Sequence, residues 1–323
     1  MKKLTYLFLA LTIVACSDDS SDSSSNDGGD NGGDGQSSCI YLADNGVTIK
    51  ACDDANLGDT GVIDGVTYTV VDEIMLRDMV DNEEDVTKVV TTKVTNMSEL
   101  FYSGILNVTS DFNQDISNWD VSNVTDMRYM FGFCINFNQP IGNWDVSNVT
   151  DMAQTFVEAP TFNQPIGDWD VSNVTNMIAM FGNATAFNQP IGDWNIGNVT
   201  LIEAMFGGAT AFNQPIGDWD VSKIQKIAGM FRDATSFNQP IGNWDVSNVG
   251  AGGINSDMAS MFKNATSFNQ DIGDWDVSNV GYMYSMFENA TSFNQDISSW
   301  NVDNVTVCTS FSENAPLTEE NTP

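Results

Sequence analysis

Six aspartates, Asp120, Asp145, Asp170, Asp220, Asp245 and Asp276, each follow a tryptophan in the same short phrase, W-D-V. Paired carboxylates are the machinery of glycoside hydrolysis, one acting as acid and the other as base or nucleophile. A catalytic pair needs an environment of its own, whereas these acids recur at fixed spacing in nearly every copy of one unit. Repetition of that kind points to a structural use, so no catalytic residue is expected and the chain is read as a non-enzyme. There is no histidine, which removes the usual general base, the Ser-His-Asp and Cys-His arrangements, and most zinc or copper sites. The Asp and Gly spacing in residues 17–38 lacks the closing glutamate of a calcium loop, because Ser38 stands there. No cofactor and no fixed metal site is expected; divalent ions can associate diffusely with acidic faces.

The tryptophans set the ruler for everything else. Trp119, Trp144, Trp169, Trp194, Trp219, Trp244, Trp275 and Trp300 are separated by six steps of 25 residues and one of 31. Around each lies F-N-Q-[PD]-I-[GS]-x-W-[DN]-[VI]-x-x-[VI], then a stretch ending in Met-Phe and Ala. Phe137, Gln139 and Ile141 alternate, which predicts a short strand. Val149, Met152 and Phe156 recur at three and four, the spacing of a helical face. Ser147, Asn148, Thr150 and Asp151 between them suit caps and turns. The fold class expected is therefore α/β: a leucine-rich-repeat-like right-handed solenoid, with one short parallel strand and one short helix per 25-residue coil. A single unit cannot offset its ordering entropy, so coils must stack, and the aromatic columns are read as mutual packing. Asn-Gln and Trp-Asp pairs are expected to tie turns within or between coils. A Trp column could instead offer a sugar-stacking surface, a less common use.

Eight to nine repeats are expected over residues 94–316, with a polar tail at 317–323. The last copy carries Phe311 and Ser312 where the others have Met-Phe, as a terminal cap would. The insertion Gly250–Asn255 should bulge outward. Residues 39–93 differ: VIDGVTYTVV signals a hairpin turning at Asp64-Gly65. Asp72 should cap a helix with Leu76, Met79 and Val80 on one side, and 86–92 is strand-like. This small α+β segment is expected to close the first coil.

The first fifteen residues, MKKLTYLFLALTIVA, have the basic start and apolar run of a signal peptide. IVAC, ending at Cys16, resembles the lipobox of bacterial lipoproteins, in which the cysteine becomes the acylated N-terminus. Residues 16–38 are acidic, Gly- and Ser-rich, and predict a flexible tether. The SDDS after Cys16 resembles signals that send lipoproteins to the outer face of some outer membranes. Removing Lys2 and Lys3 with the signal takes the net charge from −33 to −35, which disfavours nucleic acid. In such an oxidising compartment Cys39 and Cys52 are expected to pair. Cys134 and Cys308, seven coils apart, are expected to be free and buried.

The units FNQPIGNWDVSNVTDM and the preceding NGVTIKA…GVTYTVVDE resemble the BspA-like leucine-rich-repeat surface lipoproteins of bacteria, over residues from about 45 to 316. That resemblance implies a lipid-anchored protein at the outer membrane surface, serving adhesion through a protein or glycan ligand. A purely structural stalk or coat is the alternative, and a carbohydrate-active enzyme is a weaker one. If there is a specific contact surface, it should use the positions that vary between copies: Arg128, Tyr129, Gln154, Glu203, Tyr282 and Tyr284. Asn-Val-Thr triplets at Asn123 and Asn148 match a glycosylation sequon but read as turns in a bacterial lipoprotein. Ligand and oligomeric state are not legible.

Overall fold

The computed structural model describes residues 39–102, 108–253 and 257–323. The signal peptide expected at 1–15, Cys16 and the tether to residue 38 lie outside these, as does the end of the insertion. In the N-terminal part β1 (Ile40–Leu42) pairs antiparallel with β2 (Ile49–Ala51). β3 (Thr60–Ile63) and β4 (Val66–Val70) form the hairpin, with Asp64 and Gly65 both at positive φ in its turn. The helix α1 (Glu73–Asp81) starts where the Asp72 carboxylate accepts the Met75 N–H at 2.9 Å. It buries Leu76 and leans Met79 and Val80 on the main core. β5 (Val89–Val90) then lies parallel to β4 and leads into the repeats.

The repeats stack as coils, but not coils of a strand and a helix. Helix α1 is the only α-helix among the described residues, and the repeats contribute isolated parallel bridges, such as Asp126↔Asp151 and Asp151↔Asn176, rather than strands. The leucine-rich-repeat architecture is therefore wrong for this chain. In its place stands a tandem repeat of turns and loops.

Two local causes account for the difference. In the Met-Phe half, left-handed backbone recurs at Tyr129, Gln154, Ala179 and Ala204, and again at Phe133, Glu158 and Asn183. A residue with positive φ every few positions prevents a continuous right-handed helix. The N–H groups of Met130, Gly132 and Cys134 instead bond three residues back, while those of Met127, Tyr129, Phe131 and Phe133 bond forward to Asp151, Ala153, Thr155 and Val157 of the next coil at 2.8–3.0 Å. The apolar spacing of three and four is satisfied by inward-turning corners as well as by a helical face. In the Phe-Asn-Gln half, Pro140, Pro165, Pro190, Pro215 and Pro240 have no N–H to give a ladder. Side chains replace it. The Asn163 carboxamide oxygen accepts the Asn188 N–H and the Gln189 Nε2, each at 2.9 Å, and Asn188 does the same for Asn213 and Gln214 in the next coil.

One continuous core runs from α1 to the last coil. Phe131, Phe156, Phe181, Phe206, Phe231, Phe262 and Phe287 form one ring column with centroids 5.4–5.9 Å apart. A second column, Phe137 to Phe293, lies beside it, with ring pairs inside each coil at 3.8–4.1 Å. Stacked pairs of this kind add about 0.5–1.5 kcal/mol each beyond burial. All eight indoles are buried, 0–4% exposed. Each Nε1–H donates into the preceding turn, Trp119 to Val86 O and Trp144 to Ile116 O, on to Trp300 and Ile272 O, at 3.0–3.3 Å. The rings therefore both fill the core and tie coil to coil. That geometry leaves no stacking face for a sugar.

Candidate functional site

The repeated acids are engaged locally. In the W-D-V turns one carboxylate oxygen accepts from the serine two residues on. Asp145 takes the Ser147 N–H at 3.2 Å and the Ser147 hydroxyl at 2.6 Å. Bonds of this kind hold the carboxyls of Asp170, Asp220 and Asp276 below their ordinary value. These three carboxylates are engaged with their own turns. The sequon asparagines are engaged too: Asn123 Nδ2 donates to Thr92 O and Asn148 Nδ2 to Ser122 O.

What differs from coil to coil is a lateral strip made of two neighbouring columns. One reads Asp126, Asp151, Asn176, Leu201, Lys226, Asp257, Tyr282; the other reads Arg128, Ala153, Ile178, Glu203, Ala228, Ala259, Tyr284. The six residues expected to form a contact surface all lie on or beside this strip, but they do not make one cluster. Arg128 and Tyr284 are six coils apart, about 29 Å at roughly 4.8 Å per step. Arg128 is paired with Asp126 (3.1 Å) and Asp151 (3.7 Å), and the Asp126 carboxylate raises its pKa. Tyr129 stacks on Tyr102 with centroids 5.1 Å apart. Gln154 is half-buried and left-handed, and Tyr282 and Tyr284 are half-buried in the last full coil.

Glu203 has partners that sequence reasoning missed. Its Oε1 lies 3.0 Å from Lys226 Nζ, and its Oε2 is buried with no hydrogen-bond partner among the described residues. Asp257 follows Lys226 in the column. It is 2% exposed, accepts the Gly281 N–H at 2.8 Å through Oδ2, and leaves Oδ1 without a partner among the described residues. Burial pushes the Asp257 carboxyl up, against the Gly281 and Tyr282 N–H groups and the Lys226 charge. Aligning the columns across the 31-residue step puts Lys226 and Asp257 in register, and that was the available signal.

Cys39 and Cys52 form a disulfide with Cα atoms 5.3 Å apart. Asp54 lies close to both sulfurs, but a disulfide offers no thiolate ligands, so this trio is not a thiolate metal site. Cys134 is buried and its thiol is pushed up to about 12 by desolvation. Cys308 is free but exposed, contrary to the expectation that it is buried. No helix among the described residues is long and apolar enough to cross a membrane.

No curated protein and no solved structure matches the chain. One family model, described as Mycoplasma protein of unknown function, DUF285, matches residues 73–189, 163–253 and 216–322. Its overlapping matches follow the tandem coils and together span residues 73–322, well over half of the sequence, so the chain belongs to the DUF285 family.

Proposed function

We propose that this protein is a non-enzymatic recognition module of the BspA-like surface lipoprotein kind, held by acyl chains on Cys16 at the outer face of an outer membrane and used in adhesion to a protein or glycan. The observation that carries this reading is how the repeated polar groups are used. The tryptophan N–H, the W-D-V carboxylates and the Asn-Gln amides are engaged in turns and coil ties, coil after coil. Chemical individuality is then left to the lateral strip, where Arg128, Glu203, Lys226, Leu201 and Tyr282 give successive coils different charge and apolarity. Extended surfaces of stacked repeats are suited to recognising another macromolecule in this way.

The test is to present residues 39–323, which lie within one compact unit, to arrays of glycans and extracellular-matrix proteins. Binding that is lost when Arg128, Glu203, Lys226 and Tyr282 are exchanged for alanine, with the melting curve preserved, supports the reading. Array-wide silence, or binding untouched by those exchanges, refutes recognition through the strip. Silence would favour a structural stalk, the use suggested by the near identity of the coils. Release from membranes on replacing Cys16 by serine tests the anchor separately.

A further inference from the structure

Successive coils turn little relative to one another. Rings of the Phe131 column change plane by only 4–11° from coil to coil, so the lateral strip runs nearly flat from Arg128 to Tyr284. Its middle is its most apolar part. Leu201 is 42% exposed in a column that otherwise carries Asp126, Asp151, Asn176 and Lys226. Ile178 stands one coil before it and Ala228 one coil after, in the neighbouring column. The ends differ in kind: Arg128 lies three coils to one side of Leu201, and Tyr282 and Tyr284 lie three coils to the other.

We propose that the strip binds a second copy of this chain, with the two stacks antiparallel, face to face, and related by a twofold axis through Leu201. This rests on the reading of the strip as a recognition surface and names its partner. A twofold axis across the strip leaves each column facing itself and reverses the order of the coils. Leu201 then meets Leu201, Ile178 meets Ala228, the Lys226 ammonium meets the Asn176 carboxamide, and the Arg128 guanidinium meets the Tyr284 ring as a cation–π pair. Because both stacks have the same rise per coil, the register holds along the whole strip.

The like charges that this register opposes are already partnered or covered. Glu203 is held by Lys226, Asp151 by Arg128 and by the Asn176 Nδ2 at 3.0 Å, and Asp257 is buried. The Met-Phe stretch is also where two acidic chains meet at least cost. Four of the five cations in residues 94–323, Arg128, Lys226, Arg232 and Lys263, lie in it. A strip about 29 Å long and three residues, about 10 Å, wide belongs to the small, transient class of interfaces. Such contacts hold surfaces together when many anchored copies engage at once.

The experiment is sedimentation equilibrium of residues 39–323, with cross-linking to fix the register. A reversible dimer is expected, with Kd between about 10 μM and 1 mM, tightening as salt screens the repulsion between the chains. Leu201→Asp should weaken it at least about tenfold with the melting temperature unchanged. Cys308 is an exposed thiol, so cross-linking uses a Cys308→Ser background and a short bis-maleimide. There Leu201→Cys should link to itself, Arg128→Cys should not, and Arg128→Cys mixed with Tyr284→Cys should. A monomer throughout that concentration range overturns the proposal, as does a dimer indifferent to Leu201→Asp. Self-linking of Arg128→Cys as efficient as that of Leu201→Cys overturns the antiparallel register. A monomer that still binds an arrayed glycan or matrix protein through the strip overturns this pairing alone and leaves recognition by the strip standing.

Discussion

Replacing Trp194 by phenylalanine isolates the tie between coils. The indole is 3% exposed, donates to Ile166 O at 3.1 Å, and has its centroid 6.3 Å from that of Phe181. Phenylalanine keeps an aromatic ring in the column but removes the donor. The Ile166 carbonyl keeps the Trp169 N–H at 3.2 Å but loses its indole partner, at a cost of about 0.5–1.5 kcal/mol. The lost ring atoms remove roughly two methylene-sized groups from the core, at about 0.8 kcal/mol each. Together these give a loss of about 2–3 kcal/mol, a sizeable share of the stability of most domains. Because stacked repeats are coupled mainly through nearest neighbours, a weakened central boundary should also broaden or split the unfolding transition. Trp300→Phe, at the last indole of the stack, removes the same kind of bond to Ile272 O but should shorten the cooperative unit without dividing it. Urea denaturation followed by circular dichroism measures both variants. A change below about 1 kcal/mol in Trp194→Phe, with a single unaltered transition, would refute the role assigned to the indole.

Gly192→Ala should destabilise by about 1–3 kcal/mol, since an added Cβ would collide with the Pro215 carbonyl of the next coil; the midpoint of urea unfolding checks this. Ser222→Ala should let the Asp220 pKa rise toward its ordinary value, because the Ser222 hydroxyl and N–H are what lower it. A carboxylate with a lowered folded pKa stabilises above its unfolded value near 3.8 and loses that contribution as pH falls through the folded one. Ser222→Ala should therefore be less stable than the parent at neutral pH, and the gap should close in acid, as read by melting temperature against pH. Cys52→Ser opens the loop closed from Cys39, 13 residues earlier, and should cost about 3 kcal/mol in the N-terminal part, measurable by unfolding with and without reductant.

Much of this arrangement is legible in the residues, and the failures have definite causes. Asp64-Gly65 between β-branched runs marks the hairpin, because few other dipeptides suit that turn. Asp72 marks the helix start because its carboxylate can reach a free N–H two or three residues on. The coil half misleads because Val149, Met152 and Phe156 carry an apolar period that does not distinguish a helix from a series of inward-turning corners. The distinguishing feature is the left-handed backbone at Gln154 and Glu158, residue types that seldom announce it. The strand half misleads because alternation at Phe137, Gln139 and Ile141 reports which side chains point inward, not where the N–H groups go. Pro140 is the warning. At the lateral strip, Glu203 is visible as a departure from the repeat and Lys226 falls beside it one 25-residue step on, but Asp257 joins the column of Lys226 only once coils are placed in register across the insertion. Cys308 looks like a buried repeat position, since the other coils carry Met or Ile there, yet it is exposed.

Amide hydrogen exchange tests the bonding of coil to coil along the Met-Phe stretch most directly. The N–H groups of Met177, Ala179, Phe181 and Asn183, bonded forward into the next coil, and those of Met180, Gly182 and Ala184, bonded within their own, should all be strongly protected. The amides of Cys308, Ser310, Ser312 and Asn314, which have no partner among the described residues, should exchange freely. Free exchange at Met177, Ala179 and Phe181, or protection at the terminal row equal to theirs, would contradict a stack joined coil to coil by these bonds.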